Sequence, residues 1–295
     1  MRNLIKVATV LVIIGVTATV IRDIKRNKTN ANLDGDIAKT TAMITNLNGN
    51  SGGTGVVLKS ENTQSTILTN AHVCGVVKNG GMVTTDNKRA LVTSYKVSEM
   101  HDLCLITVNN NLNINTKVAT EAPKIYSSSV VAGHPGLLPT IVNRGHFGDH
   151  EVITIMVGIR ECKQEDLDSE LGIVCMFLGG IPILKNYEAQ VVSNTIMPGS
   201  SGSAVFDSNG NIAGLVFAGS GQLSYGHIVP QEYVQNFIEQ EVDMLKEQKP
   251  TTELSLKELK AKNVLLETCK EGKLNDNYNI VKKYCNYVEM DFIVQ

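Results

Sequence analysis

Short apolar runs separated by glycine- and asparagine-rich turns constrain this chain more than any other feature of its sequence. The runs are rich in Val, Ile and Thr and lack helical periodicity as far as residue 229, which is typical of short antiparallel strands. We therefore predict a mainly β fold built from antiparallel barrels. The predicted strands are 42–45, 54–58, 65–69, 89–97 and 103–108 in a first lobe, and 129–132, 140–145, 152–157, 173–177, 188–193, 203–206, 212–217 and 226–229 in a second lobe.

The length and charge of the chain limit its function. Its 295 residues are enough for one two-lobed domain, and the formal net charge is −2. There is no long basic run and no alternation of basic and aromatic residues, so we expect no nucleic-acid partner. No Cys/His spacing makes a convincing metal site, because His146 and His150 fit an ordinary solvated loop, and no cofactor is expected.

The N-terminus predicts export. Residues 7–21 are uncharged and mostly apolar, and a short basic lead precedes them. This stretch is short for a membrane span, which needs roughly 17–25 residues, and it fits the core of a secretory signal. A basic cluster at 22–28 instead favours a retained anchor, so residues 1–26 are either a signal peptide or a membrane anchor. The protein is then either secreted or attached to a membrane by this segment, and residues 27–36 form a linker.

Six cysteines suit an exported protein. Cys162 and Cys175 bracket an acidic loop and can close it as a disulfide. Cys74 and Cys104 can either pair or remain free in the core. Cys269 and Cys285 flank a polar segment and can staple the C-terminal tail.

A glycine-flanked turn at Met197–Phe206 carries the first chemical signal. Gly199 and Gly202 allow backbone conformations that a Cβ atom would forbid. Such a turn can present one hydroxyl and point backbone N–H groups at a developing negative oxygen. Ser201 is the candidate nucleophile, although an ordinary Gly/Ser hairpin loop has the same composition.

Two further positions supply the partners that a serine nucleophile needs. His72 follows an apolar strand within a turn of small residues, and Asp102 stands at the head of another apolar strand. An imidazole can take the proton of the hydroxyl, and a buried carboxylate can fix the tautomer of the imidazole. The order His, Asp, Ser also argues against an α/β-hydrolase, which places its acid and histidine after the serine.

Taken together, five stretches resemble the trypsin-like (chymotrypsin-fold) serine proteases, closest to the bacterial Deg/Htr-type and glutamyl-endopeptidase-type branches. They span about residues 37–245, and their order, spacing and local context agree. The stretch 160–186 departs from these families. The matching stretches are an opening strand, the histidine motif, the aspartate motif, a strand and turn of the second lobe, and the serine motif with its following hairpin, at 53–58, 68–73, 102–106, 131–136, and 198–203 with 209–214.

The resemblance implies an architecture. We expect two antiparallel six-stranded β-barrels, at 37–121 and 125–230, followed by a C-terminal helix at 231–247. Together these would make a protease domain at 37–248. The apolar periodicity of 233–245 independently favours that helix. The tail, 249–295, is expected to be helical in part.

The resemblance also implies roles for individual residues. His72, Asp102 and Ser201 would form the catalytic triad, and the backbone N–H groups of Gly199 and Ser201 the oxyanion hole. Ser200 stands where digestive relatives carry an aspartate, which argues against activation by a freshly cut N-terminus. The substrate pocket is expected near Thr195, Val216, Phe217, Ala218, Gly219 and His227.

These residues and the resemblance predict a serine endopeptidase that acts on polypeptides through an acyl-enzyme. The pocket lacks an acidic residue at Thr195, which favours small or apolar residues before the cut. One alternative is an inactive protease-fold protein that serves the cell envelope as a binding or scaffold module. Another is an envelope structural protein that uses its tail for interactions. The oligomeric state is left open.

Overall fold

The computed structural model describes residues 28–86, 88–169, 171–219, 225–239 and 247–248. The chain is mainly β and ends, within this range, in a helix followed by a two-residue strand. The strands are β1 (Thr41–Asn46), β2 (Gly52–Glu61), β3 (Gln64–Thr69), β4 (Gly81–Thr84), β5 (Arg89–Val97), β6 (Cys104–Val108), β7 (Ser128–Gly133), β8 (Ile141–Arg160), β9 (Ile181–Val192), β10 (Ala204–Phe206), β11 (Ile212–Gly219), β12 (Gly226–Pro230) and β13 (Glu247–Gln248). The helices are α1 (28–40), α2 (Ala71–Val76), α3 (Gln164–Leu167), α4 (Gly172–Leu178) and α5 (Gln231–Glu239), with a 3₁₀ turn at Pro135–Leu137.

The first lobe is one antiparallel sheet in the order β13-β5-β4-β1-β2-β3-β6. β5 is hydrogen-bonded to β6 as well as to β4. The six strands from β5 to β6 in this order are therefore paired in a closed ring. Aliphatic side chains such as Ile44, Ile67 and Ile106 fill its interior. No strand was predicted at β4, where Gly81 pairs with Asn46 of β1.

The second lobe is a closed barrel of six antiparallel strands in the order β10-β11-β12-β9-β8-β7. β8 and β9 form a long hairpin. The two strands expected at 140–145 and 152–157 are parts of the single strand β8. The polar, glycine-containing segment between them pairs with β9 with one register shift, between Phe147 and His150, so the strand continues through it.

A shared apolar cluster joins the two lobes. Leu68 and Leu105 of the first lobe belong to the same buried group as Phe206 and Leu215 of the second. Ile37 of α1 is also part of it, at 3% exposure. Burial of this much apolar surface between the sheets favours a fixed arrangement of the two lobes.

Residues 28–36, expected to be a linker together with residue 27, are helical and belong to α1. Leu33 packs against the shared cluster, and Arg144 of β8 forms an ion pair with Asp34 at 2.6 Å. The polar composition that suggested a linker instead forms the outer face of a short amphipathic helix, with Leu33 and Ile37 four residues apart on the inner face.

The stretch 160–186 includes a two-helix tip between β8 and β9, whose ends it also contains. The strand expected at 173–177 is instead the helix α4, in which Val174, Cys175 and Leu178 are buried at helical spacing. Gly179 ends the helix with φ = 65°, as is common for a glycine after a helix. A disulfide between Cys162 and Cys175 closes the tip, as the sequence suggested.

Some predictions lie outside the described residues. These are the N-terminal signal or anchor, the tail 249–295 with Cys269 and Cys285, and residues 240–246 of the expected C-terminal helix. The helix was expected to end at residue 247, but Glu247 instead lies in β13, where it pairs with Lys96 of β5. Within the described ranges, no helix combines the length and apolarity that a membrane crossing requires.

Candidate active site

Two paired strands bring His72 and Asp102 together. Thr69 at the end of β3 is paired with Cys104 at the start of β6. The chain then turns into α2, which carries His72. Asn70, which is fully buried, donates from its side-chain Nδ2 to the carbonyl oxygen of Asp102 at 2.8 Å. The sheet register and this amide contact together fix the separation of the two candidate side chains.

The carboxylate of Asp102 contacts His72 at two points. Its Oδ2 lies 2.6 Å from Nδ1 of the imidazole, and its Oδ1 accepts the backbone N–H of His72 at 3.0 Å. The side chain of Asp102 is 12% exposed, whereas that of His72 is 31% exposed. A carboxylate held in this way favours the tautomer with the proton on Nδ1, so that Nε2 is available as a base.

A disulfide lies directly behind this pair. Cys74 and Cys104 are joined and fully buried, and each lies two residues after one of the two candidate side chains. The sequence left open whether these cysteines pair. Their bond ties α2 to β6 and adds a covalent constraint between His72 and Asp102.

Ser201 lies in a turn whose backbone requires glycine. Gly199 and Gly202 have φ values of 89° and 80°. A Cβ atom on Gly202 would lie 2.0 Å from the carbonyl oxygen of Thr54, so no larger residue fits. Within the turn, Ser203 donates its backbone N–H to the carbonyl of Ser200 at 2.9 Å.

The Ser201 turn is held by both lobes. The carbonyl of Ser201 accepts the N–H of Thr54 in β2 at 2.7 Å, and the N–H of Gly202 donates to Val216 in β11 at 2.9 Å. Both the Ser201 carbonyl oxygen and Val73 lie within 3.0 Å of the place where a Gly53 Cβ would stand. The backbone of Ser201 therefore runs close beside the helix that carries His72.

The peptide groups around Gly199 have fixed orientations. The carbonyl of Pro198 accepts the N–H of Gly136 at 2.6 Å, and the carbonyl of Ser200 accepts that of Ser203. Because a trans peptide is planar, the N–H groups of Gly199 and Ser201 point away from these anchored carbonyls. Their directions are thus set by partners elsewhere in the loop and in the neighbouring 3₁₀ turn.

His134 lies beside the same loop, with its carbonyl oxygen 2.6 Å from the place where a Gly199 Cβ would stand. Its Nδ1 lies 2.9 Å from the carbonyl oxygen of Leu138. Burial lowers the pKa of His134 below its ordinary value, although the Leu138 carbonyl opposes this effect. A neutral ring at neutral pH places no extra positive charge beside the Ser201 turn.

The expected pocket residues are mostly buried. Val216, Phe217, Ala218 and Gly219 line up along β11, and His227 lies on the adjacent β12. Nε2 of His227 lies 2.6 Å from Oε1 of Glu151 in β8, so this histidine already has an acidic neighbour.

Ile196 occupies the space between Gly219, which is expected in the pocket, and Gly226 on the adjacent strand β12. Its side-chain carbons would lie 2.6 Å from a Cβ atom on Gly219 and 2.3 Å from one on Gly226. Ile196 is 2% exposed, whereas Thr195, the residue expected in the pocket, is exposed. The two glycines leave room for the side chain of Ile196.

Sequence reasoning missed two residues of this site, Thr54 and Ile196. Thr54 is part of a Gly-Thr-Gly run that signalled only an opening strand. Its side chain bonds to Gly199, 145 positions away, and no local pattern predicts such a contact. Ile196 follows Thr195, which was expected in the substrate pocket. Nothing in the sequence distinguishes Ile196 from an ordinary apolar core residue.

Comparison with known proteins gives a family and a fold. The family model described as the trypsin-like peptidase domain matches residues 53–215. The structure of the active form of the Rv3671c protease from M. tuberculosis is similar, with 17% identity, a TM-score of 0.54, and coverage of 78% of this chain and 88% of that one. An inactive form of the same protease gives 19% identity and a TM-score of 0.51, with coverage of 72% of this chain and 93% of that one.

The serine endoprotease from Yersinia pestis is also similar, at 16% identity and a TM-score of 0.50, with coverage of 70% of this chain and 65% of that one. At these sequence identities, the similarity to solved structures supports the fold and nothing further. No curated protein matches the chain significantly.

Proposed function

Because the chain belongs to the trypsin-like peptidase family, whose model matches residues 53–215, we propose that it is a serine endopeptidase that cleaves polypeptides through an acyl-enzyme. The observation that carries this proposal is the double contact between His72 and Asp102, at 2.6 and 3.0 Å. This geometry suits a general base whose ring is held in one orientation beside a serine turn.

The proposed reaction begins at Ser201. Its Oγ attacks the carbonyl carbon of the substrate while Nε2 of His72 takes the hydroxyl proton. Asp102 keeps the Nδ1 proton of the ring and stabilises the imidazolium. His72 then gives its proton to the leaving amine, and water repeats the sequence on the ester to release the acid and restore Ser201.

The negative oxygen of each tetrahedral intermediate would be bound by the N–H groups of Gly199 and Ser201. These groups belong to peptides whose carbonyls are bonded elsewhere. Fixed donors stabilise the developing charge without reorganising during the reaction, and removal of one such donor typically costs about 10²–10³ in kcat.

Substrates are proposed to carry a small residue before the cut bond. Ile196 fills the space between Gly219 and Gly226, and the exposed Thr195 supplies no charge to the pocket. His227 is engaged with Glu151 and is therefore a poor partner for an acidic substrate side chain.

The protein is proposed to act after export. Two disulfides are present within the described residues, and such bonds persist in oxidising compartments. The N-terminal segment would deliver the protein either as a secreted enzyme or as one held at a membrane.

The test is labelling of the purified protein with a fluorophosphonate, together with Ser201→Ala and Ser203→Ala variants. Labelling that disappears in Ser201→Ala and persists in Ser203→Ala is the expected result. Ser203 is a matched control because it lies two residues along the same loop and is also fully buried. A folded wild-type protein that does not label would instead favour the inactive binding or scaffold module.

A further inference from the structure

Thr54 makes four hydrogen bonds at the meeting point of the two lobes. It belongs to β2 of the first lobe and is fully buried. Its N–H donates to the carbonyl of Ser201 at 2.7 Å, and its own carbonyl accepts the hydroxyl of Thr69 at 2.7 Å. Its hydroxyl donates to the carbonyl of Gly199 at 2.8 Å and accepts the N–H of His134 at 2.9 Å.

These contacts fix the direction of the Thr54 hydroxyl proton. A hydroxyl has one proton to donate and two lone pairs to accept with. Since the N–H of His134 can only donate, the proton of Oγ1 points at the carbonyl of Gly199. A continuous relay therefore runs from the His134 amide through Thr54 to Gly199.

The Gly199 carbonyl belongs to the peptide between the two proposed oxyanion donors. On one side is the N–H of Gly199, and on the other is the N–H of Ser201. Gly199 has no Cβ and a φ of 89°, so rotation of this peptide meets little intrinsic resistance. The carbonyl end of this peptide is held from outside the loop, by the hydroxyl of Thr54.

The loop itself anchors this peptide at one end only, through the backbone N–H of Ser200. The side chain of Ser200 reaches the N–H of Met197 at a long 3.4 Å. The backbone N–H of Ser200 closes a turn on the carbonyl of Met197 at 2.9 Å. Thr54 adds a side-chain donor that acts on the Gly199 carbonyl from the other lobe.

We propose that Thr54 is a positioning residue, whose hydroxyl holds the Gly199–Ser200 peptide so that the oxyanion donors face the substrate. This inference rests on the proposed function, since it assigns the hydroxyl a role in that same site. Without the hydroxyl, the buried Gly199 carbonyl has lost its partner, which is costly. The peptide then rotates to find a donor and disturbs the oxyanion site.

The kinetic test uses two matched pairs that each differ by the hydroxyl. Thr54→Val is compared with wild type, and Thr54→Ala with Thr54→Ser, so that one pair remains informative if Val fails to fold. We expect loss of the hydroxyl to lower kcat about 10²-fold, as for loss of one oxyanion donor. KM should stay within about threefold, because substrate binding before attack does not use the donors fully.

Thr116→Val is the control for loss of a comparable bond. The Thr116 hydroxyl also donates to a backbone carbonyl of β2, that of Val57, at 2.7 Å, but away from the site. This variant should keep the kcat of wild type. Rescue by Thr54→Ser together with an unchanged Thr116→Val would support positioning. A Thr54→Val enzyme with kcat within about threefold of wild type would overturn it.

A crystallographic readout separates this inference from the proposed function. If the wild-type protein has no turnover, the endopeptidase proposal fails, but crystal structures of wild type and Thr54→Val still decide the role of the hydroxyl. A Gly199–Ser200 peptide that rotates only in the variant supports the inference. An unchanged peptide overturns it.

Discussion

Asp102 holds His72 by both its ring and its backbone, with Oδ2 2.6 Å from Nδ1 and Oδ1 3.0 Å from the main-chain nitrogen. The backbone contact fixes the start of α2, and the ring contact fixes the tautomer. One carboxylate therefore sets both the place and the protonation pattern of the proposed base.

Asp102→Asn is expected to lower kcat about 10⁴-fold, because an amide can donate to Nδ1 and so favours the wrong tautomer. Steady-state kinetics and a thermal melt would measure activity and folding separately. Asp207→Asn, in a surface turn of the second lobe, is the control and should retain full activity. A loss of less than about tenfold in Asp102→Asn would show that His72 does not act as this base.

Ile196→Ala is expected to enlarge the substrate pocket. Cleavage after leucine or methionine should rise relative to alanine by about 10- to 200-fold, the range that one methylene is worth in an apolar pocket. The variant should also lose about 2–5 kcal/mol of stability. Peptide-library profiling and denaturant unfolding would measure the two effects.

The control for that change is Ile212→Ala, which removes the same atoms from a fully buried position of the same barrel. It should destabilise the protein to a similar degree and leave the cleavage profile unchanged. A profile that Ile196→Ala does not alter would place the pocket elsewhere.

The disulfide behind the site is expected to matter for both stability and rate. Replacing Cys74 and Cys104 by alanine opens a loop with a sequence separation of 30 and should cost about 3.5 kcal/mol. We also expect kcat to fall by about 10- to 100-fold in the folded variant, since small displacements of catalytic groups are expensive. Replacing Cys162 and Cys175, in the protruding tip, is the matched control and should leave kcat unchanged.

The two-helix tip should respond to acid. The Arg160 guanidinium, with the backbone N–H of Lys163, lowers the pKa of Asp166 to about 2 from an ordinary 3.8. A depressed carboxyl pKa contributes stability above the unfolded value and loses it as the pH falls through about 2. Arg160→Gln should raise the Asp166 pKa towards 3.8, as measured by carbon NMR of the carboxyl group, whereas Lys163→Gln should shift it much less.

Local pattern predicted most of the strands and the candidate site. β5 spans Arg89–Val97 as expected, and β3 and β6 contain or nearly match their predicted ranges. His72 and Asp102 lie in contact because each is next to the end of a strand, and these two strands are paired. The ends of strands can be predicted from sequence. The assignment of Ser201 rested on the order of the histidine, aspartate and serine motifs.

The elements and residues that the sequence did not predict depend on features that local composition does not show. α4 is apolar and rich in β-formers, yet a short disulfide-closed loop leaves it nothing to pair with as a strand. α1 is polar on average, and only the spacing of Leu33 and Ile37 signals its buried face. Thr54 and Ile196 act through contacts made across the folded chain, which depend on tertiary structure rather than on neighbours in sequence.

The position of α1 has a consequence for the order in which the molecule assembles during synthesis. The helix precedes the first lobe in the chain, but Asp34 pairs with Arg144 and Leu33 lies against Gly210, both in the second lobe. Proteins are made from the N-terminus onwards. Residues 28–40 therefore leave the ribosome before either lobe and find their complete docking surface only after Gly210 has emerged, so the earliest part of the described chain is among the last to reach its final place.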